Sequence, residues 1–144
     1  KMSIVNVGEL LLLEDIVDAL RLKGIPEDRV AVISTYAGQV EELKLRLDQS
    51  TTGYNPSAFT VDAAQGHEWD IVIVSTVRSD EKHTLGHIRD RRRINVALTR
   101  ARDAVIVTGD IATLRNDFDV WRKYVADNED CIMQIDTFYD WFRP

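Results

Sequence analysis

Apolar residues recur along this chain in two rhythms. Leu10, Leu13, Val17 and Leu20 return at the spacing of a helix, which Gly24 and Pro26 stop. Asn6 stands where the N-cap of that helix belongs, and a short strand is expected over 3–5. Residues 29–34 (RVAVIS) have the unbroken apolar character of a buried strand. Val40, Leu43 and Leu47 mark one face of a second helix, and Thr51-Thr52-Gly53-Tyr54-Asn55-Pro56 reads as a loop from its turn residues. Strands follow over 57–61 and 70–76 (DIVIVST), the second apolar on both faces, then a helix over 92–101 and a strand over 104–108 (AVIVT). The remainder predicts one or two short helices around 111–125, a strand over 131–135, and an aromatic turn holding Phe138, Tyr139, Trp141 and Phe142.

This alternation runs without a linker or repeat, so residues 1–144 are expected to form one α/β domain, a three-layer sandwich with a mainly parallel sheet. Ligands of such sheets gather at the carboxyl ends of the strands. Those ends are Ser34-Thr35-Tyr36, Val61-Asp62, Thr76-Val77-Arg78 and Thr108-Gly109-Asp110. Leu11-Leu12-Leu13-Glu14-Asp15 copies the hydrophobic-plus-acid end of a magnesium-binding strand, but its apolar spacing continues through Val17 and Leu20 and assigns it to the helix.

Composition narrows the classes. A chain of 144 residues with 44% hydrophobic and 29% charged side chains suits one soluble domain with an adequate core. Apolar runs such as Leu10–Leu13 fall far below the roughly 20 residues of a membrane span. Neither a span nor a leader is expected; the one cysteine, Cys131, excludes an internal disulfide and argues against structural zinc, and either leans towards a reducing, intracellular setting or is silent about compartment.

Charge changes the picture more. The net charge is -6, yet 13 of the 18 cations are arginine, and six of them (Arg89, Arg91, Arg92, Arg93, Arg100, Arg102) lie in a stretch whose single acid is Asp90. The planar guanidinium fork suits phosphate, so this is a local anion site inside an acidic domain, or else a solvated helix face. On a continuous helix, Arg93, Ala97 and Arg100 share one side, with Ile94, Leu98 and Ala101 about 100° around facing the sheet. Neither a G-x-x-x-x-G-K-[ST] phosphate loop nor a G-x-G-x-x-G fingerprint is present, so the domain is not expected to hold a nucleotide alone. His83 and His87 have helical metal-ligand spacing, but Gly86 intervenes without a third ligand, and a solvated loop is the better reading.

Three stretches carry the remaining chemistry: Ile33-Ser-Thr-Tyr-Ala-Gly-Gln39, Thr60-Val-Asp-Ala-Ala-Gln-Gly-His-Glu-Trp-Asp70, and Arg92-Arg-Ile-Asn-Val-Ala-Leu-Thr-Arg-Ala-Arg102. In this order and spacing they resemble motifs IV, V and VI of superfamily 1 RNA/DNA helicases, in the branch that includes senataxin and the nonsense-mediated-decay helicase. Ser3-x-x-Asn6-x-x-Glu9 and the strand end Val77-Arg78-Ser79 resemble the same branch. The resemblance implies the second RecA-like domain of a two-domain motor, a fragment of a larger chain. ATP and Mg2+ would be bound mainly by the preceding RecA-like domain, which is this domain's expected partner along with single-stranded RNA or DNA.

By that resemblance Arg100 is the arginine finger that stabilises the transferring phosphoryl group. Gln65-Gly66 is a tight turn permitting close backbone approach, Glu68 accepts from ribose hydroxyls, and Gly66 and Glu68 meet the nucleotide. Arg93 has two readings, phosphate contact or a pair with Glu68. Tyr36 has two as well, packing near adenine or filling the gap under Gln39. Ser34 and Thr35 offer hydroxyl and backbone donors to a phosphate, and Thr60, Val61 and Arg78 meet the nucleic-acid backbone. Trp69, just before a core strand, reads as packing. The sequence departs from its relatives at Thr35 and Arg91, where proline is usual, at Val40, where some carry a basic residue, and at Asp80, where asparagine is common. The alternative function is a catalytically inert helicase-like domain that acts as a protein-interaction scaffold.

Overall fold

Four segments pair into one parallel sheet: β1 (Val30–Ser34), β2 (Ser57–Thr60), β3 (Trp69–Ser75) and β4 (Ala101–Thr108), in the order β2-β1-β3-β4. The structure is a computed structural model that describes residues 4–78 and 86–142; Ser3, Ser79, Asp80, His83 and the side chain of His87 fall outside the described residues. From β1 the chain moves outward to β2, then returns to the other side of β1 for β3 and β4. This reversal puts the topological switch point between β1 and β3.

Both faces are covered, as a parallel sheet requires. On one face α1 (Val7–Leu22) and α2 (Ala37–Asp48) bury Leu10, Leu13, Val17, Leu20, Val40, Leu43 and Leu47 against Val30, Val32 and Ile73. On the other, α3 (Val61–Ala64), α4 (Arg91–Leu98), α5 (Ile111–Arg115) and α6 (Val120–Asp127) bury Ala64, Ile94, Ala97, Leu114, Trp121 and Val125 against Ile33, Val72 and Val74. The three-layer α/β sandwich expected from the sequence is the observed architecture.

Several local expectations give way to identifiable physics. Ile4 and Val5 form no strand; they are exposed, and the next backbone N–H, that of Asn6, is taken by the Gln39 side chain at 3.0 Å. Asn6 does cap α1, accepting from Glu9 N–H. The strand expected over 131–135 is absent, because Ile135, Phe138, Tyr139 and Phe142 repeat at helical spacing and form α7 (Ile135–Phe142) instead. Phe138 of α7 packs on the α1 side of the core, and Tyr139 donates its hydroxyl to Asp15 at 2.8 Å. The helix expected to reach Ala101 stops at Leu98, since the Arg100 carbonyl already accepts from Trp69 N–H and Ala101 is in register with Trp69. Val61 begins α3 rather than ending β2.

The core makes one contrast directly measurable. Leu13 is fully buried and Leu11, on the same helix, is 51% exposed. Leu13→Ala is expected to cost about 2–5 kcal/mol of unfolding free energy in urea titrations, and Leu11→Ala within about 0.5 kcal/mol of zero.

Candidate functional site

At the carboxyl edge, Thr60, Ser34, Ser75 and Thr108 are register partners, one hydroxyl residue from each strand in a row across the sheet. Alternation along the strands puts Ser34 and Ser75 on the face of Val32 and Ile73, beneath α1 and α2. A carboxylate meets this row from the first turn of α1. Glu9, only 7% exposed, accepts through Oε1 from Ser75 Oγ at 2.5 Å, Thr108 Oγ1 at 2.8 Å and Val77 N–H at 3.2 Å. Burial pushes its carboxyl above the ordinary value, against the opposing pull of Ser75, Thr108 and the Val77 and Thr76 backbone. Gln39, also buried, donates to Ser75 Oγ and to the Asn6 carbonyl.

Just past β3 the backbone turns sharply. Val77 has φ 69°, and Arg78 N–H donates to the Thr76 carbonyl at 2.7 Å, closing a γ-turn around a β-branched residue. The Val77 side chain is buried in the α4 and α6 side of the core. Arg78 emerges from this turn half-buried, and Gly86, itself at φ +53°, packs so closely that a Cβ there would lie 3.3 Å from Arg78 Nε and 2.6 Å from Tyr36 Oη. Tyr36 is therefore a core residue at the carboxyl edge, 2% exposed. Ser34 is buried as well, its Oγ accepting from Tyr36 N–H at 3.2 Å. Thr35 Oγ1 is buried with no hydrogen-bond partner among the described residues. Thr60 caps α3 by accepting from Ala63 N–H, which leaves Val61 buried and able to offer only its backbone.

The other half of the candidate set lies at the opposite, amino edge. Gln65, Gly66 and Glu68 precede Trp69, the first residue of β3, and Arg100 precedes Ala101, the first of β4. Of the candidate residues, Ser34, Thr35, Tyr36, Thr60, Val61 and Arg78 stand at the carboxyl ends of strands, and these four do not. Gly66 adopts φ +84° with open space around its Cβ position, so bulk there is unhindered but the backbone conformation demands glycine. Trp69 packs on Phe59 at 5.1 Å between ring centroids, as its packing reading expects.

Arg100 lies beyond the end of α4, so the helical-wheel placement beside Arg93 and Ala97 does not describe it, and Ala97 faces the core with Ile94. Its guanidinium is tied to its own chain, donating from Nε to the Val96 carbonyl at 3.1 Å and from Nη2 to Thr99 Oγ1 at 3.0 Å. Among the described residues it pairs with no carboxylate. Its neighbours differ: Arg102 bridges Glu68 at 3.4 Å and Asp70 at 3.0 Å, and Arg91 meets Asp119 at 3.8 Å. Arg93 pairs with Asp62 at 3.2 Å and with its helix cap Asp90, not with Glu68. The Glu68 partner is Arg102, whose position just inside β4 the longer helix expected from sequence concealed. Arg29, then Arg102, hold the Asp70 carboxyl below the usual carboxylate range.

The sequence marks Asn6 as a helix cap and, with Glu9, as a carrier of the resemblance, but it gives Glu9 no role and no partner beyond its own helix. The signal was there: a carboxylate in the first turn of an apolar helix, matched by the hydroxyls ending β3 and β4. Nothing in the sequence signals the turn at Val77, because valine is among the residues least suited to it.

A family model described as an AAA domain matches residues 1–112. The DNA polymerase alpha-associated DNA helicase A of Saccharomyces cerevisiae is 36% identical over 87% of this chain and 19% of its own length. The helicase sen1 of Schizosaccharomyces pombe is 40% identical over 88% of this chain and 8% of its own. A putative regulator of nonsense transcripts 1 from Takifugu rubripes is 37% identical over 74% of this chain and 10% of its own. The chain thus spans a fifth or less of the length of these relatives.

The Glu9 environment sets a pH dependence. Its folded value is raised above the ordinary glutamate value of 4.5, so its contribution to stability is fully present below that value and is lost as pH rises through the higher folded one. Glu9→Gln cannot ionise, and its unfolding midpoint relative to the unsubstituted protein should shift in the variant's favour as pH rises above 4.5. A gap that stays constant across denaturation series at several pH values would contradict this.

Proposed function

This chain belongs to the AAA domain family of superfamily 1 helicases, in the branch of Sen1 and the regulators of nonsense transcripts, and from that membership we propose that it is the second RecA-like half of an ATP-driven motor on single-stranded RNA or DNA. The observation that carries the reading is Arg100. At the amino edge its guanidinium is aimed by a helix-end carbonyl and a hydroxyl, while the ion pairs around it leave it without a carboxylate among the described residues. A cation positioned but not neutralised suits an anion supplied from outside the domain.

The amino edge is then the nucleotide side. Arg100 acts as the finger on the transferring phosphoryl group, the Gly66 backbone lies open to approach, and Glu68, released from Arg102, accepts from ribose hydroxyls. ATP with Mg2+ supplies the phosphoryl-transfer chemistry and is held mainly by the preceding RecA-like domain of the same chain. Arg93 reaches phosphate only by leaving Asp62, and Tyr36, deep in the opposite edge, serves packing there rather than adenine. The carboxyl edge is the strand side. Arg78, the Thr60 hydroxyl, the Val61 backbone and the Ser34-Thr35 segment meet the sugar-phosphate chain, and the Thr35 hydroxyl, without a partner among the described residues, supports a ligand at this edge. The motor is proposed to work inside the cell, and this domain alone is not expected to hydrolyse ATP.

Two outcomes test the reading. In the full-length protein, Arg100→Ala should lower strand-stimulated ATP turnover by about 10³ or more with ATP and strand affinity little changed, and Arg100→Lys should recover little. Arg102→Ala should cost far less, and equal losses would reduce the arginines to a general electrostatic surface. Separately, fluorescence titration of this domain with single strands should show weak binding that fades as salt rises and is indifferent to base sequence, whereas salt-insensitive binding would contradict a backbone platform.

A further inference from the structure

The turn that delivers Arg78 is not one the chain would hold unaided. A valine at φ 69° is disfavoured by its own branched Cβ, and the γ-turn around it is the strained form. Such a conformation persists only where its surroundings over-determine it, and both polar groups of the Val77 backbone are gripped by the first turn of α1. Val77 N–H donates to Glu9 Oε1 at 3.2 Å, and the Val77 carbonyl accepts from Asn6 Nδ2 at 2.7 Å. The two gripping residues are themselves fixed. Ser75 and Thr108 donate to the same Glu9 oxygen from β3 and β4, and Gln39 bridges the Asn6 backbone to Ser75. Asn6 holds α1 in place by accepting Glu9 N–H with Oδ1, so one side chain caps the helix and clamps the turn.

We propose that Asn6 and Glu9 form a latch that locks Val77 in its left-handed turn and thereby sets the position of Arg78 against the strand backbone. They are positioning residues and touch no ligand. This rests on the strand-side reading of the carboxyl edge given above, and it adds what that reading lacks, a reason why a buried carboxylate fills the crevice beyond the carboxyl ends of β3 and β4, beside the switch point, where such sheets ordinarily admit a ligand. The latch occupies that crevice with protein groups and leaves Arg78 at its rim. Without it, Val77 relaxes to negative φ and the Arg78 amide and side chain turn away together.

The test uses variants that separate position from stability. Asn6→Ser keeps a capping oxygen for Glu9 N–H but loses the amide that reaches Val77. Glu9→Gln keeps an acceptor for Val77 N–H, and Glu9→Ala keeps none. Expected for Asn6→Ser and Glu9→Ala are faster hydrogen exchange at the Val77 and Arg78 amides than at the amides of α2 and β1, and affinity for a single strand lowered about tenfold, the scale of one lost charge-assisted contact. Glu9→Gln should retain both properties. Adding Arg78→Ala to Asn6→Ser should lower affinity by less than a further twofold, because the arginine is already misplaced, whereas adding Thr60→Ala should lower it in full proportion. Glycine at position 77 adopts positive φ without strain, so Val77→Gly in the Asn6→Ser background should recover part of the strand affinity although it removes a buried side chain and lowers stability further. The latch is overturned if the Asn6→Ser and Arg78→Ala losses multiply, or if Glu9→Gln falls as far as Glu9→Ala. Unchanged affinity for Arg78→Ala alone would overturn the strand-side reading and the purpose of the latch with it, while exchange at Val77 reports separately whether Asn6 and Glu9 hold the turn.

Discussion

One buried oxygen, Glu9 Oε1, ties together elements from across the chain. It accepts from a hydroxyl on β3, a hydroxyl on β4 and the backbone amide just beyond β3, all from the first turn of α1. A carboxylate so placed is costly to bury unless every donor is present, and losing one leaves the others around an under-satisfied charge. The seating of α1, the spacing of β3 and β4 at their carboxyl ends and the turn at Val77 are therefore set jointly. The apolar layers hold the sandwich together, but they are tolerant of small shifts in a way that this directional cluster is not.

The sheet separates the two proposed tasks by its length. Arg100, Gly66 and Glu68 stand where β3 and β4 begin, and Thr60, Thr35 and Arg78 stand where strands end. One continuous strand joins the two ends: Arg100 abuts the start of β4, and Thr108, at its finish, donates to Glu9. Close-packed parallel strands transmit displacement rather than absorb it. The arrangement suits the nucleotide and strand proposed as its ligands, and β4 joins the two ends without an intervening loop.

The layered fold was legible because burial imposes rhythm: Leu10, Leu13, Val17 and Leu20 announce a helix, and DIVIVST a strand covered on both sides. What escaped were features decided by distant partners. The end of α4 is fixed by Trp69, which recruits the Arg100 carbonyl into the sheet and draws Ala101 to Asp103 into a strand despite their polarity. The segment after Cys131 was misread because its apolar residues satisfy a helical period that only packing on α1 rewards. Of the site, the residue types and their order were readable, while their division between two edges was not, since Gln65-Gly66 and Thr60 are close in sequence yet flank the full length of a strand crossing. The pairing of Arg93 with Asp62 rather than Glu68 follows from the same division.

The hydrogen bond from Thr108 to Glu9 joins residues 99 positions apart. Closing so long a loop carries an entropic cost that must be met before the contact returns anything, and β4 must already lie beside β3 for Thr108 to reach. The surroundings that hold Val77 in its unfavourable conformation are therefore complete only after the last strand has docked. During folding, the hydrophobic layers assemble around a carboxyl edge that is still unset, and the strained turn is among the final local structures to form.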